Sequence, residues 1–290
     1  YTGSDPRSAP AVLLTIAFVE STFGAWHIEG GVGQLSTALE QRCSDLGVKF
    51  KFNTLVSQIL VNNNHATGIK TRDGKEFKAD LVVANSDAEY IYNKLLANNV
   101  NAARSERRKL KFATKSLSGF SLLLGLDNSK GKAVPIDHHN VYFPNNYDAE
   151  FDDVFTKQIP VQDPTIYICA PKDPHMTKGE NKEAWFVLVN APRHQVDGGW
   201  DWRQGGAEYA QKIIQKLDDL GLNVSSRLDF MKYRTPADLE NYAMAPGGSI
   251  YGSSSNSAAS AFLRTKNRSK IKGLFCVGGS SHPGGGLPLV

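Results

Sequence analysis

Residues 273–290 read GLFCVGGSSHPGGGLPLV, a short apolar run followed by five glycines, a histidine and two prolines in the last thirteen residues. Leu274 to Val277 has the length and composition of a buried strand, with Gly278-Gly279 as its exit. Glycines at the carboxyl end of such a strand let the backbone approach a ligand closely, as in the crevice of a dinucleotide-binding sheet. In that architecture a helix follows with its N-terminus turned to the ligand, and here it would begin near Leu287. Taken alone, the stretch reads equally well as a flexible tail.

The segments upstream supply the rest of such a sheet. Residues 34–46 place Leu35, Ala38, Leu39 and Leu46 near one helical face, and Gly47 stands where a helix C-cap belongs. Residues 48–54 and 55–62 alternate as strands. Asp73-Gly74 marks a hairpin, and residues 79–84 form a short apolar strand of the kind buried in a parallel sheet. A second region, about 110 to 238, offers strands at 117–127, 138–144, 164–171 and 183–192 and an amphipathic helix at 206–220. From Ala243 the composition turns to glycine and serine before the closing strand.

Bulk properties are those of a globular chain. Of 290 residues 41% are hydrophobic, which excludes disordered and fibrous classes, and the net charge of +4 is mild. The basic run Arg104 to Lys111 has no interleaved aromatics and reads as the solvated face of a helix, so no nucleic-acid partner is expected. Cys43, Cys169 and Cys276 are widely spaced, which fits reduced, mostly buried thiols in a cytoplasmic protein rather than a disulfide frame or zinc site. His138 and His139 adjoin with no third ligand at metal spacing, and no metal is expected. The apolar run from Ala11 to Val19 is too short to span a bilayer. It reads either as a surface patch with Phe18 and Trp26 or as a buried helix.

Several stretches together carry a family resemblance. Val56, two residues, then Ile59 is followed by Ala66-Thr67-Gly68-Ile69, Asp73-Gly74 and Ala79-Asp80-Leu81-Val82-Val83. Upstream stand Gly24-Ala25-Trp26 and Glu29-Gly30-Gly31-Val32-Gly33, in the middle Asp137-His138-His139, and later Pro246 to Gly252. In that order, and with Gly273 to Pro288, they resemble the FAD-dependent, amine-oxidase-like flavoproteins, specifically the bacterial-type phytoene and carotenoid desaturases.

The resemblance implies a fold that is α/β and α+β: part of a Rossmann-like FAD-binding domain, without its N-terminal βαβ unit, plus a mixed-sheet substrate domain. Residues 1–35 would form a flavin-side segment of the substrate domain, and 36–90 a portion of the FAD-binding domain. Residues 91–240 would bind substrate, and 241–290 would return to the FAD domain. The strand-GxGxxG-helix unit that opens family members is not found in the sequence, so the chain is expected to be the C-terminal two-thirds of a desaturase, with weak FAD binding or none and no turnover by itself.

FAD is the implied cofactor, and an apolar polyene the implied substrate, with peripheral membrane contact as its route of access. By the same resemblance Val56 would present its backbone to the adenine, where an ordinary strand valine is the competing account. Gly278, Gly279 and Ser280 would approach the ribityl-phosphate region, and Gly284, Gly285, Gly286 and Leu287 would run beside the isoalloxazine. His282 reads as fixing loop shape or hydrogen-bonding the flavin rather than as a base. Gly30, Gly31 and Gln34 would lie on the substrate side, although Gln34 fits a helix surface as well. Trp200 and Trp202 have no assigned task, and no catalytic side chain is identified. A carotenoid isomerase or oxygenase, a retinol saturase-like enzyme and a non-catalytic, ligand-binding fragment are the alternatives.

Overall fold

A computed structural model describes residues 3–97, 100–177, 179–196, 198–256 and 264–286. The chain opens with α1 (Leu14–Phe23) and α2 (Gly33–Asp45), neither of which buries a residue. Next come β1 (Val56–Asn62), β2 (His65–Thr71) and β3 (Glu76–Lys78), an antiparallel sheet in that order with Asp73-Gly74 at its second turn. Gly74 takes φ 86°, a conformation that selects glycine there. Strand β4 (Val82–Ala84) leads into α3 (Ala88–Tyr90), which widens into a π turn over Ile91–Leu95, and then to α4 (Arg104–Phe112).

The second half is built on one five-stranded sheet in the order β6-β7-β8-β5-β9. Its members are β5 (Ser118–Asp127), β6 (His139–Tyr142), β7 (Ile166–Cys169), β8 (Lys182–Ala191) and β9 (Leu228–Arg234). Helix α5 (Tyr147–Phe151) lies between β6 and β7. Helices α6 (Trp202–Asp219) and α7 (Val224–Arg227) precede β9, and α8 (Pro236–Ala243) follows it. All four pairings are antiparallel. The chain then returns as β10 (Leu274–Cys276) to pair parallel with β4. The parallel and antiparallel character is thus divided between separate sheets.

Two large apolar cores follow from these layers. One face of β5, β7 and β8 (Phe120, Leu122, Leu124, Ile166, Ile168, Val187) packs on Trp202, Tyr209, Ile213 and Leu217 of α6. The expected helix at 206–220 therefore starts a turn earlier, where the Asp201 carboxylate accepts from the Arg203 amide and caps it. The other core joins Ile59, Ala66, Val82, Leu274 and Cys276 to Ile91, Leu96 and Leu110, so the π turn and α4 pack with the β4–β10 unit.

Phe120 is fully buried, with ring centroids 5.5 Å from Trp202 and 5.0 Å from Tyr209. Phe120→Ala is expected to cost about 3–5 kcal/mol in urea unfolding, the usual range for deleting a buried aromatic.

Two expectations are corrected. Residues 48–54 form no strand: β1 begins at Val56, where its ladder to β2 begins, and an extended segment without a partner gains no ladder. Phe50 and Phe52 instead stack on each other at 5.7 Å. The cysteines are also less buried than expected, since only Cys276 is fully enclosed while Cys43 and Cys169 are half-buried. Among the elements that escaped the sequence reading are β9 and α8. The alternation in Leu228–Arg234 is broken by a bulge where Leu126 pairs with Leu228 and Gly125 with Phe230, and α8 is announced by the capping box Thr235-Pro236-Ala237-Asp238.

Candidate functional site

Strands β4 and β10 run parallel with Leu274 opposite Val82 and Cys276 opposite Ala84, so their carboxyl ends fall side by side. From them emerge the two loops of the site, Asn85-Ser86-Asp87 and Val277 to Gly286. The Val277 amide donates to the Ala84 carbonyl (3.0 Å), and the Ala88 amide donates to the Ser280 hydroxyl (2.8 Å). Gly278 sits at φ 97° with a Cβ position that would fall inside Asn85 Oδ1. A side chain there would displace the Asn85 amide group or the loop. Gly285 faces the Tyr251 ring just as closely.

A third segment closes the loop from behind. The Arg264 guanidinium, only 7% exposed, donates to the Tyr251 carbonyl (2.5 Å), the Gly279 carbonyl (3.3 Å) and the Ser255 hydroxyl (3.1 Å). Burial lowers its pKa, because desolvation disfavours the cation. Burial also pushes the Asp87 carboxyl up, against the Glu89 amide, which favours its charged form. The buried hydroxyls of Ser254 and Ser281 have no hydrogen-bond partner among the described residues. Buried polar atoms are ordinarily satisfied, so these two hydroxyls stand out as exceptions.

The remaining sequence candidates are placed as follows. His282 clamps the loop through its backbone, its amide donating to the Thr265 carbonyl (2.8 Å) and its carbonyl accepting from the Asn267 amide group (2.7 Å), while the residue is exposed. Gly284 lies against Arg264 and Gly286 is exposed. Leu287 lies outside the described residues. Val56 starts β1 and packs at the margin of the second core. Trp202 belongs to the sheet core, and its indole N–H donates to the Pro192 carbonyl (2.9 Å), whereas Trp200 is exposed.

Gly30 and Gly31 lie apart from these, in a turn docked on residues 173–176. The Gly30 amide donates to Asp173 Oδ2 (2.6 Å), which also meets His27 Nε2 (2.8 Å), and Gly31 abuts Met176. Gln34 is on the exposed surface of α2 and folds back toward Gly30. His27, assisted by the amides of Gly30 and His175, brings the Asp173 carboxyl down to about 2.

A carboxylate so lowered stabilises the contact fully above its ordinary range near 4 and loses that stabilisation as pH falls toward 2. Asp173→Asn is expected to speed hydrogen exchange at Gly30 and Gly31 by roughly tenfold at neutral pH, the scale of one lost charged hydrogen bond. An unchanged rate would mean that the turn is held by other contacts.

Residues that sequence reasoning passed over are Tyr251, Ser254, Arg264 and Asp87. Tyr251 lay in a stretch already singled out, but nothing in its spacing signals a fold-back onto Gly279. His138 and His139 prove to have a third neighbour: β6–β7 pairing sets Cys169 opposite His139.

The model of the flavin containing amine oxidoreductases matches residues 5–112. Along its whole length the chain is 32% identical to the 1-hydroxycarotenoid 3,4-desaturase of Flavobacterium sp., covering 57% of that protein. It is also 32% identical along its whole length to the zeta-carotene-forming phytoene desaturase of Myxococcus xanthus, covering 55% of it. The chain thus spans little more than half the length of these relatives. An oxidoreductase of known structure from Methanosarcina mazei shares the fold at a TM-score of 0.53 and 16% identity, over 90% of this chain and 51% of its own.

By class, then, residues 5–112 resemble the flavin containing amine oxidoreductases. Over its whole length the chain is similar to carotenoid desaturases.

Proposed function

We propose that the intact protein is an FAD-dependent oxidoreductase that introduces C=C bonds into a long apolar polyene. The observation that carries this reading is the glycine loop Gly278–Gly286 closed over the adjacent carboxyl ends of parallel β4 and β10, the place where such sheets hold nucleotides. The residues present fit the polar edge of a flavin nucleotide: close-packed glycines, the Ser280 hydroxyl and the unsatisfied hydroxyls of Ser254 and Ser281. FAD, when bound, supplies the acceptor for a hydride withdrawn from an allylic C–H, the neighbouring proton leaving to solvent.

The work left to this chain is positioning and dryness. Gly278 and Gly279 would bring the backbone to the ribityl-phosphate region, and Arg264 would hold that backbone still by gripping the Gly279 and Tyr251 carbonyls. Gly284, Gly285 and Gly286 would run beside the ring system, and Val56 would face the adenine. The Gly30-Gly31 turn would lie on the substrate side, anchored by Asp173. Reacting atoms must be held within ~3–3.5 Å, which small and apolar residues permit better than ionisable ones. No helix among the described residues is long and apolar enough to cross a membrane. For a lipid-soluble substrate we place peripheral membrane contact at α1, where Leu14, Phe18 and Phe23, with Trp26 just beyond, are all exposed.

Product analysis of the intact, flavin-loaded protein with polyenes of defined saturation tests the reading. Loss of hydrogen with a longer-wavelength spectrum is the expected result. A gained oxygen would make it an oxygenase, an unchanged mass with a new isomer would make it an isomerase, and no conversion would overturn the proposal.

A further inference from the structure

The cluster His138, His139 and Cys169 lies outside the flavin crevice and is used by nothing described above. One ligand atom from each residue comes within 4.8 Å of the other two. The fold makes this juxtaposition in a definite way. Cys169 ends β7 directly opposite His139 at the start of β6, and directly opposed residues of an antiparallel pair project to the same face. His138 precedes the strand and is free of its alternation. The Ala170 amide donates to its carbonyl (2.8 Å), and its ring lies 4.5 Å from that of His139. Two adjacent histidines therefore turn toward one thiol.

Their surroundings suit metal ligation. His139 Nδ1 is engaged by the Tyr167 hydroxyl (2.8 Å), which leaves Nε2 for a ligand, the arrangement in which an outer partner fixes a metal-binding imidazole. The His27 ring meets that of His138 edge-on at 5.0 Å and is itself oriented by Asp173.

We propose that His138, His139 and Cys169 bind one divalent transition-metal ion of the zinc type. Two imidazoles and a thiolate are the mixed nitrogen and sulfur set that zinc takes, with a fourth position left to water or His27. Ligation couples loss of the Cys169 proton to formation of the metal–sulfur bond, with no change of oxidation state. The ion would clip the edge strand β6 to β7 beside the loop that carries Asp173, and so stiffen the platform on which the Gly30-Gly31 turn rests.

Cobalt(II) and zinc titration of the intact metal-free protein tests this. The expected result is one ion per cluster and a sulfur-to-cobalt charge-transfer band that zinc displaces. Cys169→Ser should abolish the band and leave the far-UV circular dichroism unchanged, while Cys43→Ser retains the band. His138→Asn and His139→Asn should each weaken zinc binding at least tenfold, and Tyr167→Phe by roughly ten- to a hundredfold, the usual scale for an outer-shell partner. Failure of the unaltered protein to bind cobalt, or a band that survives Cys169→Ser, would overturn the proposal. None of these readouts depends on flavin.

Discussion

Gly278→Val is expected to deprive the intact protein of FAD while leaving the five-stranded sheet folded. At φ 97° a β-branched residue is strained, and its Cβ would meet Asn85 Oδ1, so the Asn85 amide group or the loop after β10 must shift. Strain of ~1–3 kcal/mol, transferred to cofactor binding, weakens it by roughly ten- to a hundredfold. Fluorescence titration with FAD measures this directly. Gly278→Ala should fall between the two, and adding Asn85→Gly to it should recover part of the loss, because the overlap is then relieved while the backbone strain remains. Equal affinity in all the variants would show that the loop does not approach the cofactor.

Arg264→Met should have the largest effect on stability of any substitution around the crevice. It leaves the Tyr251 and Gly279 carbonyls and the Ser255 hydroxyl without their buried cation, and hydrogen bonds to a charged group are worth ~1.5–3 kcal/mol each. Partial compensation by water brings the expected loss to about 3 kcal/mol in urea unfolding. Arg264→Lys should restore only part of it, since an ammonium cannot serve partners arranged for a planar fork. A loss below about 1 kcal/mol, the scale of an ordinary surface change, would mean that the three segments are held together by other contacts.

Much of this architecture was legible in the residues. The Asp73-Gly74 turn, the alternation of Ser118–Asp127 and the apolar stripe of α6 are local signals, and each formed its expected element. Leu274 to Val277 read as a strand because its apolar run is bounded by glycines on both sides. What escaped were features decided by distant partners. The alternation in residues 48–54 counted for nothing without a neighbouring strand. Arg264 grips Tyr251 and Gly279 through main-chain carbonyls, which leave no mark in composition. Cys169 is thirty residues from His139, and only the register of β6 on β7 makes them neighbours.

The most direct test of the central claim is anaerobic mixing of the intact, FAD-loaded protein with a partly saturated polyene, followed at the flavin's visible absorption. Bleaching of the oxidised flavin, stoichiometric with the new double bonds, is the expected result. A flavin that stays oxidised while the polyene is bound would contradict hydride transfer from the polyene as the reaction of this site.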